Sequence, residues 1–124
     1  MNWNHFVMMG SVFSGLSVIF GAFGAHSLKD RIPIESLVIF ETAVRYQMYH
    51  GLALLVLGVV ATRIDSLPLK LAGGSFCLGI LLFSGSLFVL ALTPYRMVGI
   101  ITPVGGLFLV AGWLSMVIAM SKLT

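Results

Sequence analysis

Three long stretches of the chain carry no formal charge: residues 1–28, 71–95 and 97–121. A fourth, shorter one covers 46–62. A small soluble globule has a high surface-to-volume ratio and needs a polar shell. With 59% hydrophobic and 9% charged residues, this chain cannot supply one. The expected solvent is therefore a bilayer, whose hydrocarbon core of roughly 30 Å takes about 20 apolar residues per helix. Four such helices use about 80 residues and leave only short connections. The expected fold is all-α, a single bundle of four transmembrane helices near 5–25, 35–62, 69–92 and 97–120. The apolar runs are continuous rather than alternating with period two, which disfavours a β-barrel.

The net charge of +3 does not point to nucleic acid, because the basic residues are few and scattered. A nucleic-acid binder clusters them in a patch or stripe. The single Cys77 sits in an apolar run, so neither a disulfide framework nor a cysteine metal motif is present. The first ten residues contain no Lys or Arg, and no small-residue cleavage motif follows, so the N-terminal run reads as helix one rather than as a signal peptide. Along it Gly10, Ser14, Ser17, Gly21 and Ala25 recur at spacings of three and four. That pattern reads as a tight packing face, since small residues let helices approach closely in lipid.

Charges and prolines punctuate the rest. Lys29, Asp30 and Arg31 mark a loop, and Pro33 opens helix two with Glu35 in its first turn. From there to Thr62 nothing interrupts the helix, which would measure about 43 Å at 1.5 Å per residue. Residues 34–40 are therefore expected at the interface or beyond it, and 43–62 within the membrane. Arg63 to Pro68 is a turn, and Thr93 to Arg96 ends helix three. Thr102-Pro103 reads as a kink inside helix four, or else as the cap and first turn of a helix entered by irregular chain. The loop cations divide three against three or four, so the positive-inside rule does not settle the orientation.

The informative segment is Phe40-Glu-Thr-Ala-Val-Arg-Tyr-Gln-Met-Tyr-His50, which carries an acid, a base, an amide, two phenols and an imidazole into the membrane. Glu41 and Arg45 are four apart, the spacing at which helical side chains meet, so an ion pair that softens the cost of a guanidinium near hydrocarbon is expected between them. Tyr46 and His50 are also four apart but lie about 140° further round the helix. Two polar faces on one helix are hard to satisfy against lipid. They suit a helix that is central in the bundle or faces a second copy. His26, at the end of helix one, falls on the same membrane side. Because ionisable groups inside a membrane are expensive, His26, Glu41, Arg45, Tyr46, Gln47 and His50 form the candidate functional cluster.

These residues also carry a resemblance. Gly21-Ala-Phe-Gly-Ala-His26, the Phe40 to His50 segment continued by Gly-Leu-Ala-Leu-Leu, Phe83-Ser-Gly-Ser-Leu-Phe88, Ile101-Thr-Pro-Val-Gly-Gly106 and Ala111-Gly-Trp113 together resemble the YgdD-like family of small membrane proteins, a domain-of-unknown-function family (423) with bacterial members and eukaryotic transmembrane relatives. Pro94 departs from the small residue expected there. The resemblance implies a four-helix protein of the bacterial cytoplasmic membrane and carries no reaction, cofactor or catalytic residue.

The expected function is a non-enzymatic structural or interaction protein whose partners are membrane lipid, a second copy of itself or a larger membrane complex. No cofactor, metal or nucleic acid is expected. One alternative is a small-solute or proton pathway through the polar cluster, with a wet cavity opening on the side of loop 29–31. Another is a haem or metal subunit held by His26 and His50. It is weakened because no histidine pair stands at helical spacing and no attachment motif occurs. The seven methionines are dispersed among apolar positions and read as core.

Overall fold

A computed structural model describes residues 1–123. Its four α-helices are α1 (Trp3–Phe23), α2 (Ile34–Ala61), α3 (Leu67–Leu92) and α4 (Ile101–Ser121). A π-helical turn, Gly24–Leu28, prolongs α1, and a 3-10 segment, Arg96–Ile100, leads into α4. With these extensions all four are long and apolar enough to cross a membrane. The described residues include no strand.

The helix ends follow local chemistry. Pro33 precedes α2, and its carbonyl accepts the Leu37 N–H at 3.0 Å, while Glu35 lies in the first turn. Ser66 caps α3, its hydroxyl accepting the Leu69 N–H at 3.4 Å, and Pro68 lies in the first turn, where no N–H is needed. The 28 residues of α2 form one continuous helix of about 42 Å. That is longer than the roughly 30 Å of a hydrocarbon core. At helix four the structure keeps the first-turn proline of the second sequence reading but not its irregular entrance or its Thr102 cap. The chain is helical from Arg96, changes from 3-10 to α at Ile101, and carries Pro103 in the first turn of the α part. The irregularity is a tightened helix entrance, upstream of the proline.

Helix α1 packs on α2, α2 on α3, and α3 on α4, which leaves α2 and α3 in the middle. The apolar window of α2 is 44% buried, against 22% for each outer helix. This central placement buries one polar face of α2, that of Gln47 and His50, and leaves the face of Glu41 and Arg45 exposed.

Close approach comes from small residues. A Cβ on Gly10 would stand 2.7 Å from the Gly51 carbonyl oxygen, and one on Gly51 would stand 2.6 Å from Ser14 Oγ, so α1 and α2 touch nearly backbone to backbone. Ser17 is buried on the same side of α1, and a Cβ at Gly21 would meet Val44. The small-residue face of helix one is thus its contact with α2.

The core has two apolar lobes. The larger gathers Phe6, Phe13, Leu54, Leu57, Phe76 and Leu109. The smaller, toward loop 29–31, gathers Leu28, Leu37, Phe40 and Ala91. Phe88 meets both Phe20 and Phe40 edge-on, at 5.3 and 5.1 Å between ring centroids. A layer of polar side chains lies between the lobes.

Candidate functional site

That layer is built from α2. Gln47, 5% exposed, donates its amide to the Phe13 carbonyl of α1 at 3.0 Å, and the Ser17 hydroxyl donates to the same oxygen at 2.8 Å. From α3, Ser84 donates to the Ala43 carbonyl of α2 at 2.7 Å. Ser86 and Thr102 pair their hydroxyls between α3 and α4. Each neighbouring pair of helices therefore shares one polar tie.

His50 supplies another. Its Nδ1 lies 2.7 Å from the Tyr46 carbonyl oxygen, one helical turn back. Its Nε2 lies 3.1 Å from the indole Nε1 of Trp113 on α4. A carbonyl can only accept and an indole N–H can only donate. The imidazole is therefore the neutral Nδ1–H tautomer, with Nε2 receiving the Trp113 proton. Phe76 packs against both rings, at 5.5 Å from His50 and 5.0 Å from Trp113. Both ring nitrogens are engaged and the residue is 5% exposed.

An interhelical hydrogen bond in a membrane averages about 0.6 kcal/mol and reaches about 1.7. A double-mutant cycle between His50→Leu and Trp113→Phe, read by denaturant unfolding in mixed micelles, is expected to give a coupling of about 1 kcal/mol. Additive effects would show that the two side chains do not act as a pair.

Of the other cluster residues, Tyr46 stays beside His50, its ring stacked on the imidazole at 6.2 Å between centroids, and is partly exposed against Phe83 and Tyr49 at 4.9 and 5.6 Å. His26 is exposed on the π-helical turn. Glu41 and Arg45 are exposed on the outside of α2, in register with Val38, Tyr49, Leu52 and Val56. The expected Glu41–Arg45 ion pair does not form: among the described residues the one salt bridge joins Lys70 to Asp65 at 2.8 Å. An exposed i, i+4 pair is worth only about 0.3–0.5 kcal/mol, so little holds these two charges to each other. They line a cleft of about 200 Å³ with Gly21, Gly24, Phe40 and Val44.

The six candidates therefore divide among three directions: Gln47 toward α1, His50 toward α3 and α4, and His26, Glu41, Arg45 and Tyr46 at exposed positions. This arrangement does not support a solute pathway, because His50 and Gln47 are closed into helix contacts and the cleft of Glu41 and Arg45 includes neither. It does not support a haem or metal subunit either. His50 has no free nitrogen, and no group of three or more His, Cys, Asp or Glu is placed to hold a metal among the described residues.

A further cleft of about 500 Å³ opens at the opposite membrane face, lined by Asn2, Asn4, Asp65, Ser66 and Lys70 among others. There the Lys70 ammonium holds the Asp65 carboxyl below its usual range by hydrogen bonding and charge.

Trp113, Ser84, Ser86 and Thr102 were not singled out for chemistry by the sequence reading. One signal was available for the first. Trp113 lies well inside α4 rather than in an interfacial belt, and a tryptophan there needs a partner for its N–H.

Residues 20–106 match a family model described as "Protein of unknown function (DUF423)". The chain belongs to the DUF423 family. It is 44% identical over 117 residues to a UPF0382 membrane protein of Staphylococcus haemolyticus, covering 94% of this chain and 95% of the relative. The UPF0382 membrane protein YwdK of Bacillus subtilis is 39% identical over 118 residues, 94% of this chain and 96% of the relative. No solved structure matches. The family is one of unknown function, so membership indicates no enzymatic role. Four spanning helices and relatives named as membrane proteins agree that this DUF423 chain is a multi-pass protein of the cell membrane.

Proposed function

We propose that this protein is a non-enzymatic membrane component that works through its outer surface, and that the outside of α2 is its interaction face. One observation carries the reading. The polar groups inside the bundle are used to tie helices together, while Glu41 and Arg45, two full charges near the membrane boundary, face outward without a partner in the chain. Charges retained there are expensive unless something outside the bundle meets them. The face continues toward the other membrane side as Tyr49, Leu52, Val56 and Val59, all exposed. Its occupant is a lipid, a second copy or a subunit of a larger complex.

Neutral variants Glu41→Gln and Arg45→Gln test this. Their thermal unfolding in detergent is expected to stay within about 0.5 kcal/mol of the native chain, as for surface changes generally. Their lipid retention or oligomeric state in nanodiscs, read by native mass spectrometry, is expected to change. Unaltered lipid retention and oligomeric state in both variants would overturn the proposal.

A further inference from the structure

The cleft between the end of α1 and the start of α2 has the ingredients of a headgroup site. Its floor exists because α1 offers glycine there. A Cβ on Gly21 would meet only Val44, at an ordinary 3.5 Å, and one on Gly24 would meet the Phe40 ring at 2.9 Å. Its rim carries one anion and one cation, Glu41 and Arg45, that do not pair with each other.

Their depth is set by the helix. Counting about 20 residues of hydrocarbon back from Thr62, at the far end of α2, reaches Ala43. Glu41 thus stands just outside that boundary and Arg45 just inside it. The two are separated along α2 by one turn, about 6 Å. The cation is the deeper of the two.

Aminophospholipids carry their charges in the matching order. The phosphate, esterified to glycerol, lies next to the acyl chains, and the primary ammonium lies further out on a short linker. A guanidinium at the phosphate level can bind two of its oxygens at once, and a carboxylate one turn higher can accept hydrogen bonds from the ammonium. A choline head offers no N–H to that carboxylate. A glycerol head brings the phosphate's negative charge beside Glu41 with no ammonium to offset it. The acyl chains would leave the cleft along the exposed apolar side of α2.

We infer that the cleft lined by Gly21, Gly24, Glu41 and Arg45 binds an aminophospholipid headgroup, with phosphate on Arg45 and ammonium on Glu41. This rests on the outside of α2 being an interaction face, and it names the occupant.

The test is native mass spectrometry of delipidated protein in detergent, titrated separately with dioleoyl phosphatidylethanolamine, phosphatidylcholine and phosphatidylglycerol. The ethanolamine lipid is expected to bind about tenfold more tightly than the other two, a difference of about 1.4 kcal/mol. E41Q should lower it to the choline level, and R45Q should weaken all three. Gly21→Leu, which fills the cleft and keeps both charges, should also weaken all three while the protein melts normally. The charge reversal E41R/R45E inverts the order along the membrane normal and should not restore binding. Equal binding of the three lipids by the native chain would overturn the inference, as would unchanged binding in R45Q and Gly21→Leu. A dimer broken by E41R or R45E alone and restored by the double reversal would replace the lipid with a second copy, leaving the interaction face standing. If the variants alter neither lipid binding nor oligomeric state, both readings fall.

Discussion

Gly105→Leu is expected to cost about 3 kcal/mol or more and to loosen the α3–α4 half of the bundle. A Cβ at Gly105 would run into the backbone nitrogen of Phe83, with Leu82 C and Phe83 Cα both at 2.7 Å. Backbone atoms of a packed helix cannot rotate aside, so α4 would have to move away bodily. Overpacking a well-filled site typically costs about 1–3 kcal/mol, and here it would also break neighbouring contacts. The Ser86–Thr102 hydroxyl pair lies one turn from Gly105. Leu109 sits against the glycine face of Gly79, where an added Cβ would be 2.5 Å from its side chain. In lipid, where hydrophobic burial gives no drive between helices, such packing is most of what holds them together. Unfolding in mixed micelles, followed by circular dichroism, measures the loss. Gly85→Leu on α3 is the control, because nothing lies within 4 Å of its added Cβ. It is expected to stay within about 0.5 kcal/mol of the native chain. Equal losses at the two glycines would show that contact with α3 does not set the effect, since helix propensity favours leucine over glycine at both.

The number of helices was legible because bilayer thickness and uncharged length are both read directly along the chain. The length of α2 was legible for the same reason, since loops 29–31 and 63–65 fix its ends. Rotation of each helix was much harder. In water, apolar residues mark the inside, but in a membrane both lipid and core are apolar, and exposed Leu52, Val56 and Val59 look like buried Leu54 and Leu57. Only small and polar residues break that symmetry. Gly10, Ser14 and Ser17 did so for α1, and the wheel position of Tyr46 and His50 separated one polar face of α2 from the other. Which of the two faces looked inward depended on partners distant in sequence: Trp113 is 63 positions from His50, and Phe13 is 34 from Gln47. The Glu41–Arg45 pairing failed because a spacing of four permits contact without requiring it. At Thr102-Pro103 the local rules allowed two shapes, and the chain takes the first-turn proline of the second, entered through a 3-10 segment from Arg96 rather than through irregular chain.

Phe76→Ala is the substitution expected to damage the polar layer most, although Phe76 itself has no polar atom. Its ring is fully buried where α2, α3 and α4 converge, against His50, Trp113 and the bare backbone of Gly112. A Cβ on Gly112 would stand 2.6 Å from that ring, so glycine and phenyl are fitted to each other. Truncating a buried phenylalanine in a soluble core costs about 3–5 kcal/mol, part transfer and part cavity. In a membrane the transfer part shrinks, because the unfolded reference is also apolar, and the cavity and lost dispersion contacts remain. A loss of about 3 kcal/mol is therefore expected, with the His50–Trp113 hydrogen bond weakened because the ring that positions both partners is gone. Leu81→Ala, at an exposed site on the same helix, should change stability by less than about 0.5 kcal/mol. The fit also makes a compensation testable. Gly112→Ala should destabilise by pressing on the Phe76 ring, and Phe76→Leu by leaving part of its volume empty. In the double variant the new methyl occupies space that the smaller side chain vacates, so its loss should fall below the sum of the two single losses. A strictly additive result would show that Gly112 and Phe76 do not share that space, and the close packing of α4 on α3 at this level would have to be redrawn.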